Sequence, residues 1–277
     1  MTIRFLLIFL IGCLLAGCKS GFTKTSGTAT FVPSNARDWQ PELTTLPVVE
    51  FEGDSVTVRN IRNSLYLDAN TFIPRYHSKK LNVKHLQTVD YIMVPFRKAP
   101  SLAHTMLSFG FRDGFHLVVS VEARLERGEK YSPIQGALMQ YELMYVLGDE
   151  RDLITLRTKH RQVDVYVYPS TATPDKVRTL FVDVMKRVNS LRNNPEFYNT
   201  VSNNCTTNLV SHINRITPGA IPWDYRVLLP GYSDELAYKL GLIDQSLPFE
   251  QLKERSRVTE KANRYEKSED FSQRIRQ

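Results

Sequence analysis

Hydrophobic and polar residues alternate, or apolar residues run together in short stretches, through much of the chain between residues 46 and 170. Short runs of this kind, rich in Val, Ile, Phe and Tyr and bounded by turn residues, are typical of β-strands. The pattern predicts strands over residues 47–51, 55–61, 89–96, 105–111, 116–124 and 163–168. The body of the chain is therefore expected to contain a β-sheet.

Apolar positions spaced three and four residues apart predict helices over residues 140–147, 174–191 and 206–216. Together the helices and strands predict one α+β domain over residues 46–247, an antiparallel sheet with packed helices. Residues 248–277 are highly charged with few apolar positions, which predicts a marginal helix or a mobile tail.

The two strands on either side of Arg112-Asp113-Gly114 form a predicted hairpin whose register follows from its pattern. A three-residue loop with Gly114 in the left-handed conformation pairs Phe109 with Leu117, and it places most large apolar residues on one face. A two-residue loop would move His116 and Ser120 onto that apolar face, because a slip of one residue inverts a strand. The three-residue loop is therefore predicted.

In this register His104 lies opposite Glu122 on the second face of the hairpin, which also carries Ser108 and Ser120. Directly opposed residues have Cβ atoms about 4.5–5.5 Å apart. A carboxylate that accepts the proton of one ring nitrogen fixes the tautomer and leaves the other nitrogen as a base. A purely structural His–Glu pair is the alternative explanation.

The chain has 277 residues, of which 42% are hydrophobic and 23% are charged, as expected for an ordinary folded domain. Its formal net charge of +7 is compatible with an anionic partner. For an exported chain we expect lipid head groups rather than nucleic acid, although a solvated basic surface explains the charge equally well.

The first seventeen residues have the layout of a secretory signal peptide, with Arg4 before an apolar run over residues 5–15. Ala16 and Gly17 lead directly into Cys18, a sequence that resembles the bacterial lipobox, whose cysteine is acylated and becomes the membrane anchor. We therefore expect a signal peptide over 1–17 and a lipidated tether over 18–45. This predicts the periplasmic face of a bacterial membrane, with Lys19 favouring the outer membrane; a simple signal peptide or an uncleaved anchor helix is the alternative.

The three cysteines of the chain have different predicted fates. Cys13 leaves with the signal peptide and Cys18 carries the anchor, so Cys205 is alone in a compartment where thiols tend to pair. A solitary thiol there is either buried or kept for its reactivity. Cys205 opens a predicted helix that Asn203 or Asn204 can cap, and the first-turn amides of such a helix can stabilise an oxyanion.

The chemistry of a thiol nucleophile needs a base, and the pair of His104 and Glu122 supplies one. An adjacent imidazolium and a helix N-terminus both lower the pKa of a thiol. The histidines show no spacing typical of metal ligands, so neither a metal nor another cofactor is expected.

Several segments carry a resemblance to a known family: RNIRN at 59–63, AHTMLSFGF at 103–111, SVEAR at 120–124, YELMYVLGDERDLITLR at 141–157 and FYNTVSNNCTTNL at 197–209. Over about residues 39–242 the chain resembles the Lnb N-terminal periplasmic domain family. That likeness implies lipoprotein N-acyl transfer and similarity to circularly permuted papain-like thiol enzymes.

By position, the resemblance implies that Cys205 is the nucleophile, His104 the base and Glu122 the group that orients the base. The candidate supporting residues are Asn204, Ser108, Ser120 and Arg124. These residues favour a thiol-dependent acyltransferase or amidase/esterase, acting on an acyl-lipid, a lipoprotein or a peptide through a thioester.

Two other functions stay open. One is a cell-wall peptide hydrolase with the same triad. The other is a non-catalytic lipoprotein that binds lipid or a protein partner and merely buries Cys205. A thiol-reactive probe separates this last function from the two enzymes.

Overall fold

The structure, a computed structural model, describes residues 32–277. The predicted signal peptide and the predicted acylation site at Cys18 lie outside these residues. Residues Pro33–Gln277 form one compact unit.

The central element is a sheet of eight strands with neighbour order β1-β2-β9-β8-β7-β6-β10, in which β5 also pairs with β2. The strands are β1 Val48–Glu52, β2 Ser55–Arg62, β5 Tyr76–Asn82, β6 Leu86–Phe96, β7 Ala99–Phe111, β8 His116–Arg124, β9 Glu142–Asp149 and β10 Tyr166–Pro169. The short strands β3 Leu65–Tyr66 and β4 Phe72–Ile73 form a separate hairpin. Pairing is antiparallel except for one contact between Arg62 and Gly148, so the predicted α+β class with an antiparallel sheet is confirmed.

Helices cover both faces of this sheet. They are α1 Pro133–Ala137, α2 Glu150–Thr155, α3 Pro174–Asn193, α4 Cys205–Ile216, α5 Tyr225–Leu228, α6 Ser233–Lys239, α7 Phe249–Ser256, α8 Thr259–Arg264 and α9 Phe271–Arg274. A π-helical segment, Leu156–His160, continues α2. Within residues 32–277, no helix combines the length and apolar character that a membrane crossing requires.

The hairpin of β7 and β8 has the predicted register. Leu107 pairs with Val119 and Phe109 with Leu117, and Gly114 adopts a φ of 83°. The ladder ends at the pair Met106 and Ser120. Beyond it β7 stays with β6 and β8 stays with β9, so the two strands diverge.

Both faces of the hairpin are buried, because each is covered by a different set of helices. Phe109 packs edge-on against Phe181 of α3, with ring centroids 5.2 Å apart, in a core that also includes Cys205. Met106 and Val118 on the opposite face belong to a second core, formed with α2 and the C-terminal helices.

The prediction of a helix over residues 140–147 is wrong, because this segment is strand β9. Leu143, Tyr145 and Leu147 face the first core, whereas Met144 and Val146 face the second. A strand buried on both sides has an unbroken apolar run rather than an alternating one, and periodicity cannot distinguish it from a buried helix.

The C-terminal segment 248–277 folds into helices α7 to α9. Phe271 and Ile275 are fully buried in the second core. Arg276 reaches two buried carboxylates, with Nη2 2.6 Å from Asp90 and 2.5 Å from Glu150. The alternative of a mobile tail is therefore wrong for this segment.

Candidate active site

Helix α4 begins at Cys205 with a capping box. The side chain of Asn204 accepts the amide of Thr207 at 3.0 Å, and the hydroxyl of Thr207 accepts the amide of Asn204 at 2.8 Å. The Asn204 amide nitrogen donates to Thr200 at 2.6 Å, so this side chain is fully used in holding the turn. Its predicted capping role is confirmed.

The cap leaves two donors of the first turn open. The backbone amides of Cys205 and Thr206 have no acceptor among residues 32–277. Such orphan amides at a helix N-terminus point toward an incoming anion and carry the positive end of the helix dipole. These two amides belong to the thiol residue itself and to the residue that follows it, so they lie beside the thiol.

The thiol lies where β7 and β8 part. Its sulfur is 3.8 Å from the hydroxyl of Thr206, and hydrogen bonding from His104 and from Thr105 lowers its pKa. The Thr105 hydroxyl is also 3.1 Å from that of Thr206 in α4. The divergence of the strands therefore makes room for the start of α4 at the edge of the hairpin.

The electrostatics of this pair favour ionisation of both groups. Burial raises the pKa of Cys205, but hydrogen bonding and charge from His104 outweigh burial and lower the pKa to about 7. Burial lowers the pKa of His104, but the carboxylate of Glu122 and the thiol outweigh it and raise the pKa to about 9. Between these values the pair is a thiolate beside an imidazolium.

Glu122 holds His104 through two contacts. Its Oε1 lies 3.2 Å from His104 Nε2, and the Ser120 hydroxyl donates to the same oxygen at 2.5 Å while lying 2.6 Å from the ring nitrogen. With Nε2 engaged there, Nδ1 is the ring nitrogen available to the thiol. Although the ladder ends two residues before them, His104 and Glu122 share one face as predicted.

A buried cation completes the site. Arg157, in the π-helical segment, donates to Glu122 at 3.2 Å and to the carbonyl of Leu153 at 2.8 Å. Despite burial, His104 and Arg157 hold the pKa of Glu122 well below its usual range. Burial lowers the pKa of Arg157 to about 10, which leaves it charged at neutral pH.

Thr105 and Arg157 are not among the residues predicted from the sequence. Arg157 follows an apolar stretch thirty-five positions after Glu122, and nothing in its spacing indicates a contact with it. Thr105 sits next to His104, but its side chain points to the opposite face of β7. The π-helical segment brings Arg157 to Glu122, and the divergence of the strands lets the start of α4 meet Thr105.

Two predicted supporting residues do not reach the thiol. Ser108 is buried further along β7 and donates to Glu150 at 2.6 Å. Arg124 is directed away from the site and donates to the carbonyls of Leu43 and Thr44, at 2.8 and 2.9 Å. Both stabilise the fold, and the predicted supporting role at the thiol is wrong for them because their polar groups are already occupied elsewhere.

His212 is also occupied elsewhere. Its Nδ1 lies 2.6 Å from Asp183 and its Nε2 2.8 Å from the Tyr145 hydroxyl. Both ring nitrogens therefore have partners within α3, α4 and β9, and His104 is the histidine at the thiol.

A cleft of about 570 Å³ gives access to the site. Cys205 is only 7% exposed, yet it lines this cleft together with His104, Glu122 and Asn204. Segments from the β3–β4 hairpin, from α1 and from α5 form its walls. Within residues 32–277, no group of three or more His, Cys, Asp or Glu side chains is arranged to hold a metal ion.

A second, smaller cavity of about 200 Å³ lies between α3, α4 and α6. Thr206, the residue after the thiol, is part of its wall. Most of the lining is aliphatic, including Leu180, Leu209, Ile213 and Leu236.

Comparison with known proteins gives a family. The profile of the Lnb N-terminal periplasmic domain matches residues 73–231. That range contains all of the strands and helices that carry Cys205, His104, Glu122 and Arg157. Neither a curated protein nor a solved structure matches the chain. The match covers more than half of the sequence, and this chain belongs to the Lnb N-terminal periplasmic domain family, a family of extracytoplasmic domains.

Proposed function

We propose that this protein is a thiol-dependent acyltransferase or hydrolase that works through a thioester on Cys205. The observation that carries the proposal is the cluster of Cys205, His104 and Glu122, in which a thiol of lowered pKa faces a histidine held by a carboxylate. Perturbed pKa values in a cleft mark candidate catalytic groups, and here the geometry agrees with them.

In the first half of the reaction, the Cys205 thiolate attacks the acyl carbonyl carbon and a carbon–sulfur bond forms. The carbonyl oxygen takes up the negative charge, which the free amides of Cys205 and Thr206 stabilise. The tetrahedral intermediate then expels the alkoxide or amine of the donor. That leaving group takes the proton of His104, and the acyl group stays on sulfur as a thioester.

In the second half, an amine or a water molecule attacks the thioester carbon. It gives its proton to His104, the carbon–sulfur bond breaks and the thiolate is regenerated. Glu122 and Arg157 stay charged throughout, and their task is to hold the ring of His104 in one orientation.

The aliphatic cavity behind the thiol favours acyl substrates over cell-wall peptides. Its lining is mostly aliphatic, which suits an alkyl chain better than a peptide. Family membership supports the same class of substrate. A lipoprotein or a membrane lipid is the acyl donor that we propose.

We also propose that the chain is anchored by an acylated Cys18 at the periplasmic face of the outer membrane. Cys18→Ser should release the protein from membranes or stall its processing. Unaltered membrane attachment of this variant in fractionation would rule out the anchor without affecting the proposed chemistry of Cys205.

The thioester is the most direct test. The purified full chain is incubated with a diacyl lipopeptide and with phosphatidylethanolamine, and the peptide that contains Cys205 is analysed by mass spectrometry. We expect an added acyl mass that neutral hydroxylamine removes. In Cys205→Ser the adduct should be absent or should resist neutral hydroxylamine as an oxygen ester.

The amine or water that receives the acyl group is identified by comparing the lipids on lipoprotein N-termini with and without the gene. A protein that forms no adduct and whose Cys205 reacts with iodoacetamide only after denaturation would instead be a non-catalytic lipoprotein. Release of wall peptides that depends on Cys205 would establish the peptide hydrolase.

A further inference from the structure

Most of the exposed apolar side chains within residues 33–277 lie in or near segments that line the catalytic cleft. Within residues 33–277, Phe51 is the only exposed large hydrophobic residue that is not in, or next to, a segment that lines the cleft. The others belong mainly to the β3–β4 hairpin, to the region of α1 and to the region of α5. We define six of them as the apolar rim: Leu67, Ile134, Leu138, Trp223, Tyr225 and Leu229.

The rim is built from three segments that are far apart in sequence. Each also lines the cleft itself, through Tyr66 and Phe72, Tyr131 and Pro133, and Leu228 and Pro230. Trp223 is 85% exposed, although tryptophan is usually buried over most of its surface. Contiguous exposed apolar side chains mark a surface that meets another apolar phase.

We infer that the apolar rim inserts into a membrane surface, so that the cleft opens directly onto the lipid layer from which it takes its substrate. Tryptophan and tyrosine favour the membrane interface, where one end of the side chain is apolar and the other is hydrated. Leucine and isoleucine beside them supply the apolar face of an interfacial contact.

The charge at the cleft favours lipid over a protein partner. Arg97, Lys98 and Arg161 are exposed at the edge of the cleft, and none of the three forms an ion pair within residues 32–277. Cations beside an apolar surface bind anionic head groups. The net charge of +7 has the same sign, and the proposed acyl anchor at Cys18 precedes Pro33 by only fifteen residues.

The two tryptophans make the test direct. Trp39 is 4% exposed and Trp223 is 85% exposed, and the chain has no other tryptophan. The full chain is reconstituted into vesicles of phosphatidylcholine and phosphatidylglycerol that carry brominated acyl chains. We expect strong quenching of the Trp223 emission, obtained as the difference between wild type and Trp223→Phe, and a twofold or larger loss of its quenching by aqueous iodide.

Phe51 supplies a matched control, because it is exposed at the other end of the sheet. The turn between β1 and β2, which follows Phe51, is linked to the β7–β8 turn through the segment that joins β5 to β6. In that segment the Val83 amide donates to the carbonyl of Asp54, and the His85 carbonyl accepts the amide of Arg112. Tryptophan placed there, as Phe51→Trp in the Trp223→Phe background, should stay open to iodide and escape the bromolipid. Equal quenching at both positions, or none at Trp223, would overturn the inference.

A second experiment rests on the proposed function and separates its failure from that of the rim. The triple variant Leu67→Ser, Ile134→Ser, Trp223→Ser should retain alkylation of Cys205 and turnover of a water-soluble short-chain thioester. Its turnover of acyl-lipid in vesicles should fall at least tenfold. Equal rates of wild type and triple variant with the vesicle substrate would overturn membrane docking. The chemistry is tested separately by Cys205→Ser, which should lose turnover of the water-soluble thioester.

A protein partner gives a different pattern. Trp223 would then be shielded from iodide in native membranes but would show no bromolipid quenching in pure lipid vesicles. That result would overturn the membrane inference and assign the apolar rim to an interface with protein.

Discussion

The Glu122 carboxylate lies 3.2 Å from Nε2 of His104, with the Ser120 hydroxyl bonded to both groups. All three come from one hairpin, so the orientation of the base is set by local strand geometry. The thiol that the base serves comes from a helix about one hundred residues later. The site therefore combines a local, rigid part with a distant one.

The reactivity of Cys205 should depend on pH in a defined sense. Because its pKa is lowered to about 7, the rate of iodoacetamide alkylation should rise as pH increases through about 7 and then level off. Turnover should also fall above about 9, where His104 loses the proton that the leaving group needs. Alkylation rates and kcat/KM measured from pH 5 to 10 check both the rise through about pH 7 and the fall above about pH 9.

Replacing His104 should shift the rise in the alkylation rate of Cys205 to higher pH. In His104→Ala the thiol loses the largest influence that opposes burial, so its pKa should rise to about its ordinary value. At pH 7 the thiolate fraction would fall about fiftyfold, partly offset by greater nucleophilicity, so alkylation should be at least about fivefold slower. An unchanged pH profile in this variant would show that His104 does not act on the thiol.

Glu122→Gln should reduce turnover by about 10²-fold or more, because the ring loses its orienting anion and Arg157 loses its partner. The pKa of His104 should fall at the same time, which histidine NMR can follow. Asp149→Asn is a matched control: it alters a similar pair, with His77 Nε2 at 2.9 Å, outside the cleft. Equal losses in both variants would indicate a general effect on the fold.

The hydroxyl of Thr105 should contribute to thiolate formation. Thr105→Val keeps the shape of the side chain but removes the hydroxyl whose hydrogen bonding lowers the pKa of Cys205, so that pKa should rise and alkylation at pH 7 should slow severalfold. Thr105→Ser keeps the donor and should alkylate close to the wild-type rate. Identical kinetics in the valine and serine variants would leave the hydroxyl with no part in thiol activation.

Arg276 should be important for stability. Its removal in Arg276→Ala leaves Asp90 and Glu150 buried without their cation, which typically costs about 3–5 kcal/mol. In wild type, Arg276 outweighs burial and lowers the pKa of Glu150 to about 2, so its stabilisation is present above the unfolded pKa and is lost as pH falls through about 2.

The stability that Arg276→Ala loses should be smaller at low pH than at neutral pH. Without the guanidinium, both carboxylates gain protons more readily in the folded state, so the deficit should shrink between pH 7 and pH 4. Urea unfolding followed by circular dichroism at pH 7 and pH 4 measures this deficit in the free energy of unfolding. Arg274→Ala is the control, because Arg274 pairs with Asp270 at the surface and should matter little. A deficit that is equal at the two pH values would contradict this account.

The sequence by itself determined the features that depend on neighbours along the chain. The turn at Gly114 and the apolar pattern fix the hairpin register, because a one-residue slip would move His116 and Ser120 onto the apolar face. The same local logic predicts a helix cap at Asn203 or Asn204, of which Asn204 is the cap in the structure, and a helix that opens at Cys205. The proximity of His104 and Glu122 follows from the register alone.

Tertiary structure decided what depends on distant partners. Residues 142–149 form a strand because both of its faces pack into a core, and an apolar run does not show which partners it will meet. Ser108 and Arg124 have suitable chemistry but are bound to Glu150 and to backbone carbonyls. Arg157 reaches Glu122 from the π-helical segment, and Thr105 meets the start of α4 where β7 and β8 diverge. Long-range packing of this kind, unlike strand register, leaves no periodic signal in the sequence.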